Sequence, residues 1–185
     1  MLIILAFVSL FFSCHEEPKN IKTIGQVFGT TYSVQYYSED DKEFQKQFDS
    51  LFFVINKSMS TYQTDSDISK INRNESVKID QHFEKVFNKS KEIYRSTEGA
   101  FDPTIGIMVN AWDFGPEGKI ANLDSLKIDS LMQSVGFNQM GLKANKVIKK
   151  PKTFIDFNAI AKGYGVDVIA EFLEDHQIEN YLVEI

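Results

Sequence analysis

The sequence predicts an α+β fold in which helices pack against a mixed, largely antiparallel sheet. Apolar residues alternate with a period of two in some segments and recur every three to four residues in others, so strands and helices follow one another along the chain. The 185 residues are 43% hydrophobic and 25% charged, which is the composition of a single globular domain.

The first half of the chain begins with a β segment over 23–37, where Gly25 and Gly29 are turn or bulge points. Apolar residues at helical spacing then predict an amphipathic helix over 41–59 and a second helix over 81–96. The two helices therefore each provide an apolar face for the sheet.

The second half begins with a loop-rich segment, 99–118, which is too apolar for a solvated linker and is expected to fold against the body. The elements predicted after it are a helix over 124–135 with Gly136 in the C-cap position, strands over 145–149 and 153–157, a helix over 159–175 and a strand over 181–185. Because a domain seldom ends inside a strand, we expect the chain to be the N-terminal part of a longer protein.

The N-terminus is typical of an exported protein. Residues 2–13 are uncharged and almost all apolar, but they are too few to span a bilayer as a helix, so they indicate a signal segment over 1–13. Cys14 follows a small residue, as in bacterial lipoproteins, and would carry the lipid, with 14–23 as a tether and 24–185 as the domain. We expect a lipid-anchored protein on the periplasmic face of a membrane in the cell envelope. An ordinary cleaved signal, a retained anchor and a buried N-terminal strand are the alternatives.

Several function classes have little support in the composition. The formal net charge of −6 argues against a broad nucleic-acid surface. The single cysteine cannot form an internal disulfide, and the three scattered histidines support neither a zinc cluster nor a Ser-His-Asp arrangement.

The strongest candidate site is the strand-to-helix junction at 154–167. Asp156 ends the apolar segment, and small residues with Lys162 open the helix, where free backbone N–H groups and the helix dipole favour an anion. The alternative is a capped junction in which Asp156 only forms the turn and Lys162 is solvated. The segment is neither a Walker A loop nor a GxGxxG motif.

Two further segments are candidates. In 99–106, Asp102 is fixed at a turn by the following proline and could accept hydrogen bonds from a ribose or base edge, while Phe101 could stack on a ligand or fill the core. Trp112 stands beside turn residues, as a loop anchor could. In 59–72, Tyr62 follows a helix within a polar run and suits a planar ligand.

Together and in this order, these segments resemble the ApbE family, the FAD:protein FMN transferases. The resemblance is carried by FGTTY at 28–32, MSTYQTDSDISKIN at 59–72, TEGAFDPTIGIMVNAWDFGP at 97–116 and DFNAIAKGYGVDVIAEFL at 156–173. It covers the chain from about residue 24 to its end, and it implies the same α+β fold. Lipoprotein members of the family also fit the segment around Cys14.

The resemblance implies a set of FAD-binding residues. Phe28 occupies the position of a family methionine that contacts FAD, and Tyr62 matches the aromatic residue that packs on the dinucleotide. The other FAD contacts that it implies are Ala100, Phe101, Asp102, Asp156 and Lys162, and the backbone carbonyl of Ala159 matches a Mg²⁺ ligand.

The activity implied is transfer of FMN from FAD to a Thr or Ser hydroxyl of an acceptor flavoprotein, with Mg²⁺ bound and AMP released. The sequence departs from the family after Ile185: the catalytic residues and the Asp-Ala-x-x-Thr motif that supplies magnesium ligands are expected downstream. A lipoprotein that binds FAD without transferring it, and an inactive truncated fragment, are therefore the alternative functions.

Overall fold

The computed structural model describes residues 17–185, so the predicted signal segment and Cys14 lie outside the described residues. The described residues form five strands: β1 Lys19–Val27, β2 Thr30–Ser38, β3 Gly141–Lys143, β4 Lys146–Ile148 and β5 Tyr181–Glu184. The helices are α1 Gln45–Met59, α2 Asp67–Asn72, α3 Gln81–Ser96, α4 Gly106–Ala111, α5 Ser125–Met132 and α6 Asn158–Asp175, with a short 3-10 helix at Phe137–Gln139. The predicted α+β fold is confirmed.

The β segment predicted over 23–37 is a hairpin of two strands. β1 and β2 pair antiparallel from Lys19 with Ser38 to Val27 with Thr30, and Phe28 and Gly29 form the two-residue turn. Gly29 is therefore a turn residue as predicted, whereas Gly25 lies inside β1. The sheet begins at Lys19, within the segment predicted as a tether. β5 pairs antiparallel with β2, which gives the strand order β1-β2-β5.

The long helices match their predictions closely. α3 has the predicted bounds, α6 begins one residue early, and α1 begins at Gln45 rather than at 41. α2 and α4 were not predicted, because six-residue helices are too short for a hydrophobic period to show.

Two predictions in the second half are wrong. The segment 153–157 is not a strand, because the Asn72 side chain both donates to the Ile155 carbonyl (2.9 Å) and accepts from its N–H (2.8 Å), which leaves only an isolated bridge between Ile105 and Phe154. Gly136 is not the C-cap of α5, which ends at Met132; instead it precedes the 3-10 helix. The strand over 145–149 is confirmed as β4, and its partner β3 was not predicted.

Two apolar clusters hold α1 and α6 between the sheet and the other helices. In the first cluster, aromatic residues of β2 pack against α1 and α6, and Phe48 is fully buried there among Tyr36, Phe44 and Phe172. In the second cluster, the other sides of α1 and α6 pack on α2 and α3. The ends of α1 and α6 near the β1–β2 turn are thereby held close together. Within residues 17–185 no helix is both long and apolar enough to cross a membrane.

Candidate functional site

A cleft of about 720 Å³ opens between the β1–β2 turn, the C-terminal end of α1 and the first turn of α6. Its size is within the ordinary range for small-molecule sites, about 300–1,000 Å³. The lining residues are Phe28, Gly29, Ile55, Asn56, Met59, Ser60, Tyr62, Gln63, Asn158, Ala161 and Lys162. Three residues predicted for the site from the sequence, Phe28, Tyr62 and Lys162, therefore meet in one cleft.

Phe28 reaches the cleft from a strained turn. Both turn residues have positive φ, 47° at Phe28 and 75° at Gly29, as a type I′ hairpin turn requires. A bulky residue in this conformation is unusual. Its ring packs edge-on against Phe52, with centroids 5.7 Å apart, and a Cβ on Gly165 would lie only 2.9 Å from it. Packing against α1 and α6 therefore compensates the strain and fixes the ring at the cleft.

Tyr62 is an exposed aromatic residue of the cleft lining. Its side chain is 62% exposed, and its hydroxyl donates to the carbonyl oxygen of Phe114 at 3.1 Å. This bond ties the cleft to the loop after α4, where Trp112 and Phe114 are also exposed. Trp112 is thus not a buried loop anchor, and the face of Tyr62 is open to a planar ligand.

The N-terminal end of α6 has fewer free N–H groups than its sequence suggests. The N–H of Asn158 donates to Asp156 Oδ1 (2.7 Å), and those of Ile160 and Ala161 donate to the carbonyl of Phe157. Within the described residues, Ala159 has the one N–H of this turn that is left without an acceptor. Anion binding here would therefore depend mainly on the side chain of Lys162.

Lys162 is exposed and forms no ion pair with any of residues 17–185. It follows Asn158 by one helical turn, and both side chains line the cleft. The cleft consequently presents apolar and aromatic surface from Phe28, Met59 and Tyr62 together with the positive charge of Lys162, which no carboxylate in the described part of the chain neutralises. This arrangement suits a ligand that joins a planar ring to an anionic group.

Asp156 lies behind the first turn of α6. Burial raises the pKa of its carboxyl above the ordinary value, and hydrogen bonds from the backbone and side chain of Asn158 oppose this rise. Its N–H donates to the carbonyl of Pro103 at 2.8 Å, which joins it to the predicted loop 99–106. Asp156 therefore orients Asn158 toward the cleft, although it is not among the lining residues.

The predicted triplet Ala100, Phe101 and Asp102 lies outside the cleft lining. Asp102 Oδ1 accepts from the N–H and the hydroxyl of Thr104 (2.8 and 2.6 Å), and Oδ2 accepts from the N–H of Phe137 at 3.1 Å. In this structure Asp102 thus holds the loop to the 3-10 helix. Its contact with FAD, like those of the other residues, stays a prediction.

Sequence reasoning did not single out several polar residues of the cleft. Asn56 and Ser60 stand one helical turn apart where α1 ends, and Gln63 and Asn158 complete the polar side. The polar run within 59–72 was the available signal for Ser60 and Gln63, whereas Asn56 precedes that run and Asn158 belongs to the junction at 154–167.

A magnesium site is not formed by the described residues alone. No group of three or more His, Cys, Asp and Glu side chains within residues 17–185 is placed to hold a metal ion. Ala159, whose carbonyl was predicted as a ligand, lies in the first turn of α6 and could offer one backbone oxygen. Mg²⁺ usually needs one or two carboxylates in addition.

A family model described as the ApbE family matches residues 28–185. The FAD:protein FMN transferase of Vibrio cholerae is 34% identical over 194 residues, which cover 100% of this chain and 58% of that protein. That of Haemophilus influenzae is 35% identical, with 94% of this chain and 54% of the relative covered. The chain thus spans little more than half the length of these relatives.

Solved structures of flavin transferases are also similar to this chain. The flavin transferase ApbE of Vibrio cholerae superposes with a TM-score of 0.84 at 32% identity, over 91% of this chain and 57% of that one. The apo form of the Pseudomonas stutzeri flavinyl transferase ApbE has a TM-score of 0.85 at 26% identity, over 92% and 60%. The fold and the order of its elements are therefore shared with these enzymes.

Proposed function

The chain belongs to the ApbE family, and from this we propose that it forms the flavin-binding part of a transferase that moves FMN from FAD to a protein. The acceptor would be a flavoprotein with a Thr or Ser hydroxyl, and AMP would be released. One observation carries the proposal: the cleft combines the aromatic surface of Phe28 and Tyr62 with the charge of Lys162, which has no ion-pair partner among residues 17–185.

The chemistry would be a displacement at phosphorus. The acceptor hydroxyl oxygen forms a bond to the phosphorus of the FMN half, the bond from that phosphorus to the bridging oxygen breaks, and AMP leaves with the bridging oxygen while the hydroxyl proton passes to solvent or to a base. Lys162 would bind the pyrophosphate and neutralise part of the charge that develops on it. Phe28 and Tyr62 would hold the flavin or adenine ring, so that the phosphorus keeps a fixed position.

When bound, Mg²⁺ would neutralise the pyrophosphate. The Ala159 carbonyl is the ligand that we propose within this chain, and residues 17–185 do not complete the coordination set. We also propose that Cys14 carries a lipid and holds the domain at the periplasmic face of a membrane. The intact mass of the native protein tests this, because acylation adds a discrete mass to a chain that begins at residue 14, whereas a retained signal segment overturns it.

The flavin proposal is tested by titrating the full chain with FAD and, separately, with riboflavin, which has no phosphate. Lys162→Ala is expected to weaken FAD binding about 10-fold or more, since a hydrogen bond to a charged group contributes roughly 1.5–3 kcal/mol. Riboflavin binding should change less than 2-fold. Lys46→Ala, an exposed lysine outside the cleft, is the matched control and should leave both affinities unchanged.

Equal losses for FAD and riboflavin would show that Lys162 supports the fold rather than a phosphate, and no loss for either would refute its role. Transfer itself is tested by incubating the full chain with FAD, Mg²⁺ and a purified acceptor and measuring the acceptor mass and AMP. Tight FAD binding with no mass gain and no AMP would favour the binding lipoprotein over the transferase.

A further inference from the structure

The β3–β4 hairpin and the residues after it carry an isolated positive charge on an acidic protein. From residue 130 to residue 155 there is no Asp or Glu, and five lysines fall within ten positions at Lys143, Lys146, Lys149, Lys150 and Lys152. The whole chain nevertheless has a formal net charge of −6. We call these five residues, with Ile148, the lysine hairpin.

Carboxylates in the described part of the chain do not neutralise this charge. Lys146 donates to the Ser76 hydroxyl at 2.8 Å, and Lys149 donates to the Asn74 side chain and to backbone carbonyls, so both bind neutral oxygens. The nearby Glu75 carboxylate accepts instead from Arg73 at 2.8 Å. The positive potential of the lysine hairpin therefore extends into solvent.

The placement of two of the lysines has a cost for the hairpin itself. Lys143 and Lys146 are directly opposite each other across the two strands, next to the Ala144–Asn145 turn. Like charges in this cross-strand position are destabilising. Lys146 bonds Ser76, but Lys143 makes no side-chain hydrogen bond within residues 17–185, so hairpin stability gives no reason for a lysine at 143, whereas a binding function does.

We propose that the lysine hairpin docks this protein on a membrane surface that contains anionic phospholipids. Ile148 is 53% exposed and stands among the lysines, and a basic surface around an exposed apolar side chain is suited to a bilayer interface. Protein–protein interfaces are instead depleted in lysine and enriched in arginine and aromatic residues, and the hairpin has neither. The aromatic residues on which nucleic-acid bases stack are also missing from it.

Docking by this face would also orient the protein. An anionic surface repels a chain of net negative charge, and attraction decays within a Debye length of about 8 Å at physiological salt. Only a locally positive face can therefore approach the headgroups closely. This orientation does not depend on flavin chemistry, so the inference can fail while the proposed function holds.

The test uses the full chain and vesicles of phosphatidylcholine with or without 30% phosphatidylglycerol, because a lipid on Cys14 would insert into both. Wild type should partition better into the anionic vesicles, and 0.5 M salt should abolish the difference. Lys143, Lys150 and Lys152 are exposed and make no side-chain hydrogen bond within residues 17–185, so changing all three to Gln removes charge and no contact.

This triple variant should lose roughly 100-fold of the anionic partitioning, at about 5-fold per lysine. The matched control changes three exposed lysines outside the lysine hairpin, Lys22, Lys46 and Lys119, to Gln. The control has the same net charge as the first triple variant, and its partitioning into anionic vesicles should fall less than 5-fold. Equal losses in both triple variants would overturn the proposal.

Ile148→Ser distinguishes a membrane from another polyanion. It should weaken partitioning into anionic vesicles several-fold and leave binding to heparin or a short DNA duplex unchanged, because only the bilayer offers an apolar phase for the side chain. Tighter binding to the soluble polyanion than to vesicles, with no effect of Ile148→Ser on either, would identify a polyanion partner and refute the membrane.

Discussion

The two hairpins of this chain use the same backbone turn in opposite environments. Phe28 and Gly29 turn β1 into β2, and Ala144 and Asn145 turn β3 into β4, all four with positive φ. The first turn is packed between α1 and α6 at the cleft, whereas the second is exposed. The left-handed conformation costs a non-glycine residue about 1–2 kcal/mol. At Phe28 core packing offsets this cost, whereas Ala144 is exposed and has no buried contact within residues 17–185 that could do so.

The largest expected effect concerns the packing behind the first turn. Phe52 is 3% exposed, and its ring lies 5.7 Å from that of Phe28 and 4.8 Å from that of Tyr32. Phe52→Ala should lower the free energy of unfolding by about 3–5 kcal/mol, because it leaves a cavity under the turn. Urea denaturation measures the change.

The neighbouring residue is the matched control. Phe53 is 68% exposed on the same helix, so Phe53→Ala should change the free energy of unfolding by less than about 0.5 kcal/mol. Similar losses in the two variants would mean that α1 packs on the sheet through another face.

The second prediction is that a glycine substitution in the turn changes the free energy of unfolding in opposite directions in the two hairpins. Phe28→Gly relieves the turn but removes a ring that packs on Phe52, so stability should fall by about 1–2 kcal/mol. Ala144→Gly relieves the same strain and removes only an exposed methyl group, so stability should rise by about 0.5 kcal/mol. Thermal and urea unfolding of both variants measure the two changes, and a loss in both would remove the contrast.

The hairpins also show how far sequence could predict this fold. The strong helical period of α3 predicted its bounds, and α6 begins one residue before its predicted start although its period is weak. Gly29 marked a turn because glycine is the common residue at positive φ. The turn at Ala144 and Asn145 has no glycine, so β3 had no signal. The segment 153–157 looked like a strand, but its backbone is paired with the side chain of Asn72, a long-range contact that no local pattern contains.

Part of the candidate cleft could be predicted for a different reason. Phe28, Tyr62 and Lys162 belong to motifs that resemble those of a family, and they converge although 134 positions separate the first from the last. Neither period nor composition places Asn56 or Gln63 in the same cleft. Their positions depend on where α1 ends relative to α6, which the packing of both helices on the sheet decides.

The smallest expected effects are on the pH dependence of the free energy of unfolding. They concern two partly buried charged residues, Lys149 next to β4 and Asp156 just before α6. Burial raises the pKa of Asp156 above 3.8, so the unfolded carboxyl ionises first as the pH rises through 3.8, and the residue costs stability at higher pH. Asp156→Asn should therefore be more stable than wild type at pH 7, and this gain should disappear below about pH 3.8.

For Lys149 the change of stability with rising pH has the opposite direction. Burial lowers the pKa of Lys149 below 10.5, so the folded state loses the lysine proton before the unfolded state does as the pH rises. At pH values below the folded-state pKa, the buried charge lowers the free energy of unfolding by its full amount. This loss of stability disappears as the pH approaches 10.5. Relative to Lys149→Gln, wild type should thus gain stability in alkaline solution. Each variant is the control for the other: the stability difference between wild type and Asp156→Asn should stay constant in alkaline solution, and the difference between wild type and Lys149→Gln should stay constant near pH 4. Parallel stability profiles for the two variants and wild type would mean that neither charge is buried.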